Sequence, residues 1–391
     1  MINLDNTEIG FHHKSNKDLR RAYYLFKVIS SSTIVKVSAF LTKLALFLRL
    51  PIKGIIKATI FKQFCGGETI NECDKTIQNL GTHGVGTILD YSVEGKESED
   101  DFDQTTDIII ETILKSKNTP SIPFAVFKVS GICRFHLLEK FSKGLALSSK
   151  EEEEVQLVKK RIDRICNAAY DCDTSVFIDA EESWIQPAID VWTNEMIQKY
   201  NKKKPVVYNT LQMYRHDRYD YLKQMFAFAK EHSVIYGVKL VRGAYMEKER
   251  NRALKNAYPS PIQKDKAATD SDYNKAIDFI VENHEFFALC AGTHNEHSSL
   301  YLADLIQKNN LDPQNKKFYF SQLLGMSDHI SFNLANKKFQ VAKYVPFGPV
   351  REVIPYLLRR AQENTSVAGQ TGRELSLITK ELKRRKSDTT A

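Results

Sequence analysis

GVKLVRGAYMEKERNRALK, residues 237–255, decides the fold. A short apolar run ends at Arg242 and Gly243, and a charged stretch of helical character follows. The same unit recurs along the chain. The runs are VGTILDYS (85–92), FAVFKVSG (124–131), SVFIDAEE (175–182), PVVYNTLQMY (205–214), GVKLVRGAY (237–245), FFALCAGTHN (286–295), FYFSQLLG (318–325) and AKYVPFG (342–348). They are rich in Val, Ile, Phe and Tyr and mostly near-continuous rather than alternating, as strands buried on both faces are. Segments of helical period, such as 151–170 and 270–283, separate them. Strand–helix alternation of this kind implies an α/β architecture with a parallel sheet. Eight units predict a closed (β/α)8 barrel of the TIM type, with an open doubly wound sheet as the alternative. No GxGxxG follows a strand, which weakens a dinucleotide-binding open sheet.

In a barrel of this type chemistry gathers at the C-terminal ends of the strands. The polar residues there are Asp90, Lys128, Asp179, Gln212, Lys239 with Arg242, His294, Gln322 and Tyr344. The first 80 residues do not follow the repeat. They predict an N-terminal helical arm over 1–80, a catalytic barrel over 81–375, and a basic, disordered tail over 376–391. Residues 33–51, TIVKVSAFLTKLALFLRLP, are apolar but interrupted by Lys36, Lys43 and Arg49. An uninterrupted span of about 20 apolar residues is missing, so a transmembrane helix is not expected. The stretch reads either as a helix packed on the domain or as a helix lying on a membrane surface.

Composition bounds the function. The chain has 391 residues, 42% hydrophobic and 27% charged, with a formal charge of +8. That is ordinary globular composition. A mild basic excess suits an anionic ligand or a membrane surface. Zinc-finger spacing, RNP-like aromatics and dense basic patches with interleaved aromatics are missing, so no nucleic-acid partner is expected. The six cysteines include no CxxC, and the chain begins without a secretory signal, which reads as reduced thiols in a cytoplasmic setting.

YLLRRAQEN, residues 356–364, carries two adjacent arginines behind an apolar run. At about 100° per residue, Tyr356, Arg359, Arg360 and Glu363 share one helix face. Two readings stand: a solvated face with an Arg–Glu pair, or an anion clamp in which guanidinium forks hold a carboxylate. Lys128 would join the arginines if the second and eighth units meet across the closing barrel. Three cations would suit a small anion, and Tyr344 and Tyr356 would wall in a small apolar body attached to it. His294 has no ligand set at metal spacing, so no metal is expected. No GxSxG elbow or Ser/His/Asp order appears. Cations, amides and aromatics without a nucleophile suit a cofactor that carries the chemistry.

KLVRGAYMEKE (239–249), GTHNEHS (292–298), FYFSQLLGMSD (318–328) and YVPFGPVREVIPYLLRRAQEN (344–364) resemble the proline dehydrogenases, as do FKVSG (127–131), DAEE (179–182) and NTLQMY (209–214). The resemblance covers roughly residues 84–370. It implies a flavoenzyme on a distorted (β/α)8 barrel that binds FAD and oxidises L-proline to Δ1-pyrroline-5-carboxylate, the first step of proline catabolism. It further implies a membrane quinone as acceptor and a cytoplasmic enzyme peripheral to the inner face of the membrane. The length suggests the single-activity enzyme.

Site roles follow from the same resemblance. Lys128, Arg359 and Arg360 match the holders of the proline carboxylate, with Glu363 supporting the arginines. Tyr245, Leu324, Tyr344 and Tyr356 match the walls around the pyrrolidine ring. Gln212, Lys239, Gly243, Ala244, Thr293, His294, Asn295 and Gln322 match flavin-contacting positions. Arg242 and Lys266 match basic positions near the flavin tail, and Asp179 an acidic position that orders the flavin surroundings. The chain departs from some members at Lys239, where they carry arginine, and at Met246, where they carry a large aromatic. Two competing readings remain: a Schiff-base barrel lyase using Lys128 or Lys239, and a non-enzymatic membrane-surface protein.

Overall fold

The computed structural model describes residues 2–48, 50–93, 97–366 and 370–390. All eight apolar runs are strands: β1 (Gly86–Tyr91), β2 (Phe124–Lys128), β3 (Ser175–Asp179), β4 (Val207–Gln212), β5 (Tyr236–Val241), β6 (Phe287–Gly292), β7 (Phe318–Leu323) and β8 (Gln340–Phe347). They form a closed barrel in chain order, which sets the open-sheet alternative aside. The pairings are parallel, with Lys128 opposite Asp179, Thr210 opposite Lys239 and Lys239 opposite Cys290 in the register. Near-continuous apolar strands follow from this geometry, because parallel strands flanked by helices are covered on both faces. Several of the helices between them start on side-chain caps. Ser98 caps Glu99–Ser116, Asp265 caps Lys266–Glu282, and Ser148 with Glu151 forms a capping box before Ser149–Asp171.

By backbone contacts the chain divides into two compact units, Met1–Glu94 with Gln322–Ala391, and Gly95–Ser321. The first unit contains β1 and β8, which pair through Gly86–Tyr91 and Ala342–Phe347. Its apolar core gathers Phe11, Leu19, Phe26, Phe61 and Phe64 from the N-terminal helices around Val353, Tyr356 and Leu357 of helix Val350–Ser366. Leu377 and Ile378 of the last helix belong to the same cluster.

That last element corrects the expectation of a disordered tail over 376–391. Residues Gln370–Thr390 form one helix. Its charges are partnered: Glu381 is fully buried and takes Arg384 and Arg385 at 2.9 and 2.6 Å. Arg385 also donates to the carbonyls of Phe11 and Lys14. The basic composition that suggested a solvated tail instead supplies ion pairs and N-terminal contacts.

A second feature of this unit links the N-terminal segment to β8 through Asp328. Asp328, 3% exposed, opens helix Asp328–Asn336. Its carboxylate takes Lys343 at 2.8 Å, Lys14 at 2.6 Å and the His13 ring at 3.5 Å. Lys343, on β8, is completely buried and also donates to the carbonyl of Met326 at 2.5 Å. Burial pushes the His13 imidazole down to about 4, so near neutrality it sits uncharged against the ring of Phe332. Asp328 lies well below the usual carboxylate range: the two lysines and His13 outweigh the burial that would raise it.

Candidate active site

The Gly95–Ser321 unit builds its part of the site in layers. Phe124 stacks on Phe177 at 4.3 Å between ring centroids, and Tyr208 and Tyr319 meet Phe124 edge-on at 5.4 and 4.7 Å. Strands β2 and β7 are not neighbours, so the Phe124–Tyr319 contact crosses the interior. These rings are a dry aromatic floor of the kind that fills small barrels.

Above that floor lies the first polar layer. Lys239 is 5% exposed, holds its ammonium 5.1 Å from the Phe177 centroid and donates to Asp179 at 2.5 Å. Asp179 ends β3, and Lys239 lies inside β5 rather than at its end. The pair forms across β4: inward-pointing side chains of alternate strands of a barrel, here β3 and β5, meet in one layer. Burial over aromatic rings strengthens its mutual attraction.

Gln212, the last residue of β4, uses both ends of its amide. It donates to the Glu181 carbonyl at 2.7 Å and accepts from the Ala244 N–H at 3.3 Å. Ala244 follows Gly243, whose φ of +137° puts it where L-residues strain; a Cβ there would meet the Tyr214 ring at 2.5 Å. Both Gly243 and Ala244 are exposed, so their backbone is open to approach. Arg242 is fully engaged: its guanidinium donates to Asp270 at 2.7 Å, Thr293 at 2.6 Å and Ser298 at 2.9 Å, and lies 4.4 Å over the Tyr273 ring. Lys266 shares Asp270 with it. Thr293 is buried directly after β6, and half-buried His294 follows it. Asn295 spends its side chain locally, as the cap of helix Glu296–Lys308, accepting from Ser298 at 3.0 Å.

The reading of the strand ends missed several partners. Glu181 is fully buried and accepts from the Ser130 N–H at 3.0 Å and from the Ser130 hydroxyl. Burial pushes its carboxyl up to about 7, opposed by those hydrogen bonds and by the nearby Lys128 ammonium. A signal was available, since Glu181 stands two residues after Asp179 in DAEE. Glu249, completely buried, accepts from the Ser183 N–H and hydroxyl, both at 2.6 Å. That contact ties down the helix Met246–Lys255, which begins directly after half-buried Tyr245. Asp270 and Ser298 could not be found from spacing, because their role depends on where Arg242 points.

The other unit carries Gln322, Leu324, Tyr344 and the arginine helix. Gln322 is buried on β7 and accepts from Ser331 at 2.7 Å. The Leu324 N–H donates to the Tyr344 carbonyl at 2.9 Å, and Tyr344 is 8% exposed inside β8. On helix Val350–Ser366, Tyr356 is 6% and Arg360 8% exposed, with the Arg360 guanidinium 5.0 Å from the Tyr356 centroid. Arg359 is half-buried. The solvated-face reading is therefore corrected for Arg360. Tyr356, Leu357 and Ala361 all enter the apolar cluster. The side chain of Glu363 lies outside the described residues.

Among the described residues no group of three or more His, Cys, Asp or Glu could hold a metal ion. A closed parallel barrel with polar side chains toward the C-terminal ends of its strands has the architecture on which barrel enzymes carry their chemistry. Residues 73–373 match the family model described as proline dehydrogenase. The chain belongs to the proline dehydrogenase family, and with it to the oxidoreductases of proline catabolism. It is 33% identical over 430 residues to proline dehydrogenase 1, mitochondrial, of Dictyostelium discoideum, covering 98% of this chain and 75% of that one. It is 30% identical over 412 residues to the hydroxyproline dehydrogenase of Xenopus laevis, covering 96% of this chain and 88% of that one. Among solved structures, proline utilization A from Bdellovibrio bacteriovorus, inactivated by N-propargylglycine, is similar over 92% of this chain, with a TM-score of 0.73 and 19% identity. The chain spans 38% of that longer protein.

Proposed function

We propose that the chain is an FAD-dependent L-proline dehydrogenase that forms Δ1-pyrroline-5-carboxylate and passes electrons to a membrane quinone. The observation that carries this reading is the match of residues 73–373 to the family, joined to the polar layers at the strand ends. When bound, FAD supplies a hydride acceptor, which the chain's own side chains lack. The donor set fits it. Arg242 and Lys266 place two cations on the single carboxylate of Asp270, a surplus of positive charge suited to a diphosphate. The exposed backbone at Gly243 and Ala244 leaves room for close approach. Lys239, Gln212, Thr293 and His294 offer donors for a flavin ring, and Lys239 is held in place by Asp179.

Lys128, Arg359 and Arg360 are assigned to the substrate carboxylate, with Glu363 orienting the arginines. Tyr245, Leu324, Tyr344 and Tyr356 are assigned to the pyrrolidine ring. Holding the ring carbon in near-attack geometry is the main protein contribution. Proline gives up a hydride from C5 and a proton from nitrogen; no side chain is assigned as base, and solvent takes the proton. The Schiff-base alternative loses support at Lys239, which is committed to Asp179.

The protein should be yellow, and its visible flavin bands should bleach anaerobically with L-proline but not with NADH. A colourless protein that FAD cannot reconstitute would end the assignment.

Ring specificity tests the pose. A buried aromatic at Tyr344 leaves little room for a hydroxyl at C4, and burying that hydroxyl without a partner costs about 1–3 kcal/mol. Proline should therefore be preferred to 4-hydroxyproline. Tyr344→Ser should move the ratio of the two kcat/KM values toward hydroxyproline, chiefly by damaging proline turnover. An unchanged ratio would mean that Tyr344 does not face C4.

A further inference from the structure

Between Asp18 and Glu68 the chain has nine lysines and arginines and no aspartate or glutamate. The whole chain has a formal charge of +8, so this one segment accounts for all of it. The same segment concentrates exposed apolar side chains. Of eighteen large hydrophobic residues exposed among the described residues, ten fall between Tyr24 and Ile55. They include Phe40 at 66%, Phe47 at 83% and Ile55 at 68% exposure.

The helix Ser32–Phe47 shows why this is unusual. Its inner side packs normally, with Val35 5% and Ala39 9% exposed. The outer side of a surface helix is expected to be polar. Here Ile34, Val37, Phe40 and Leu41, spaced for one outer face, are all about half exposed or more, with Lys36 exposed beside them. Beyond the helix, Leu50, Ile52 and Ile56 line a cavity of about 360 Å³ whose other wall is Val350 and Ile354 of the arginine helix. That volume lies within the range of small-ligand pockets, roughly 300–1,000 Å³.

We infer that residues 20–62 form a docking face for an anionic lipid bilayer, with the helix Ser32–Phe47 lying in the interface. Apolar side chains enter the headgroup boundary, and the surrounding cations meet acidic lipid heads. The face lies on the surface and does not span: no single helix among the described residues is long and apolar enough to cross, and the pair Asn16–Ile29 and Thr33–Thr42 passes only jointly, across a 98° bend. A bilayer is favoured over a second copy of the chain because the segment has no acidic residue to pair with its own cations. The inference deepens the reading of a membrane-held acceptor by saying which surface meets the membrane.

The full chain should co-float with phosphatidylcholine vesicles containing about one-third phosphatidylglycerol, far more weakly with phosphatidylcholine alone, and less as salt rises. Phe40→Asp with Phe47→Asp, and separately Lys27→Glu with Lys36→Glu, should each weaken binding by about tenfold or more. All four positions are exposed, so thermal midpoint and proline turnover with a soluble dye should stay at wild-type values. Wild-type binding by both double variants would overturn the inference. So would a lipid-free dimer that the phenylalanine variant dissolves while vesicles capture nothing, which would give the face to a second copy. Proline-dependent reduction of a water-soluble quinone analogue tests the acceptor separately. If that succeeds without vesicle binding, only the docking face fails; binding without quinone reduction would fail the acceptor reading.

Discussion

Arg359→Met and Arg360→Met are each expected to lower kcat/KM for L-proline by roughly 10–150-fold, with flavin content unchanged. The number follows from losing one charge-assisted hydrogen bond to a carboxylate, about 1.5–3 kcal/mol. Methionine keeps the length of the unbranched stem, while the guanidinium is lost and, at Arg360, its place over the Tyr356 ring with it. Arg360 should show the larger effect, since it is 8% exposed and less screened by water than half-buried Arg359. Steady-state kinetics with proline, normalised to bound flavin, measure it. Unchanged kinetics in either variant would remove that arginine from the carboxylate clamp.

The second large effect is on stability. Asp328→Ala is expected to cost about 3–5 kcal/mol of unfolding free energy, the usual result of leaving one buried charge without its partner. Lys343 is the charge at risk, being completely buried and 2.8 Å from the lost carboxylate. Lys14 retains access to water, with 15% of its side chain exposed, and loses less. The companion double variant, Asp328→Ala with Lys343→Met, should recover much of the loss, because an apolar side chain needs no counter-charge there. Urea unfolding of the three proteins decides the matter. A double variant no more stable than the single one would mean that the cavity, and not the stranded ammonium, sets the cost.

Those two predictions divide along the line between what local sequence encodes and what it does not. The barrel was legible because each strand is a local event: an apolar run of five to eight residues that ends in polar groups. Being buried on both faces shows directly in composition, and closure in chain order follows once eight such units are counted. The arginine pair was legible as a pair, and Lys128, Asp179 and Gln212 were legible as strand ends, for the same reason.

Only the folded chain decided the partners. Nothing in the spacing of Lys14, Asp328 and Lys343 brings them together; they meet because the N-terminal segment packs on helix Asp328–Asn336, which itself lies against β8. Arg242 was legible as a basic residue at a strand end, but its fork is held by Asp270, Thr293 and Ser298 from later segments. The last helix looked like a basic, disordered tail, because Lys and Arg are solvated unless a carboxylate such as Glu381 is delivered to them. Hydrophobic periodicity reports which face of an element is covered. It does not report what a charged group touches, since that depends on the direction of side chains from elements far apart in the chain.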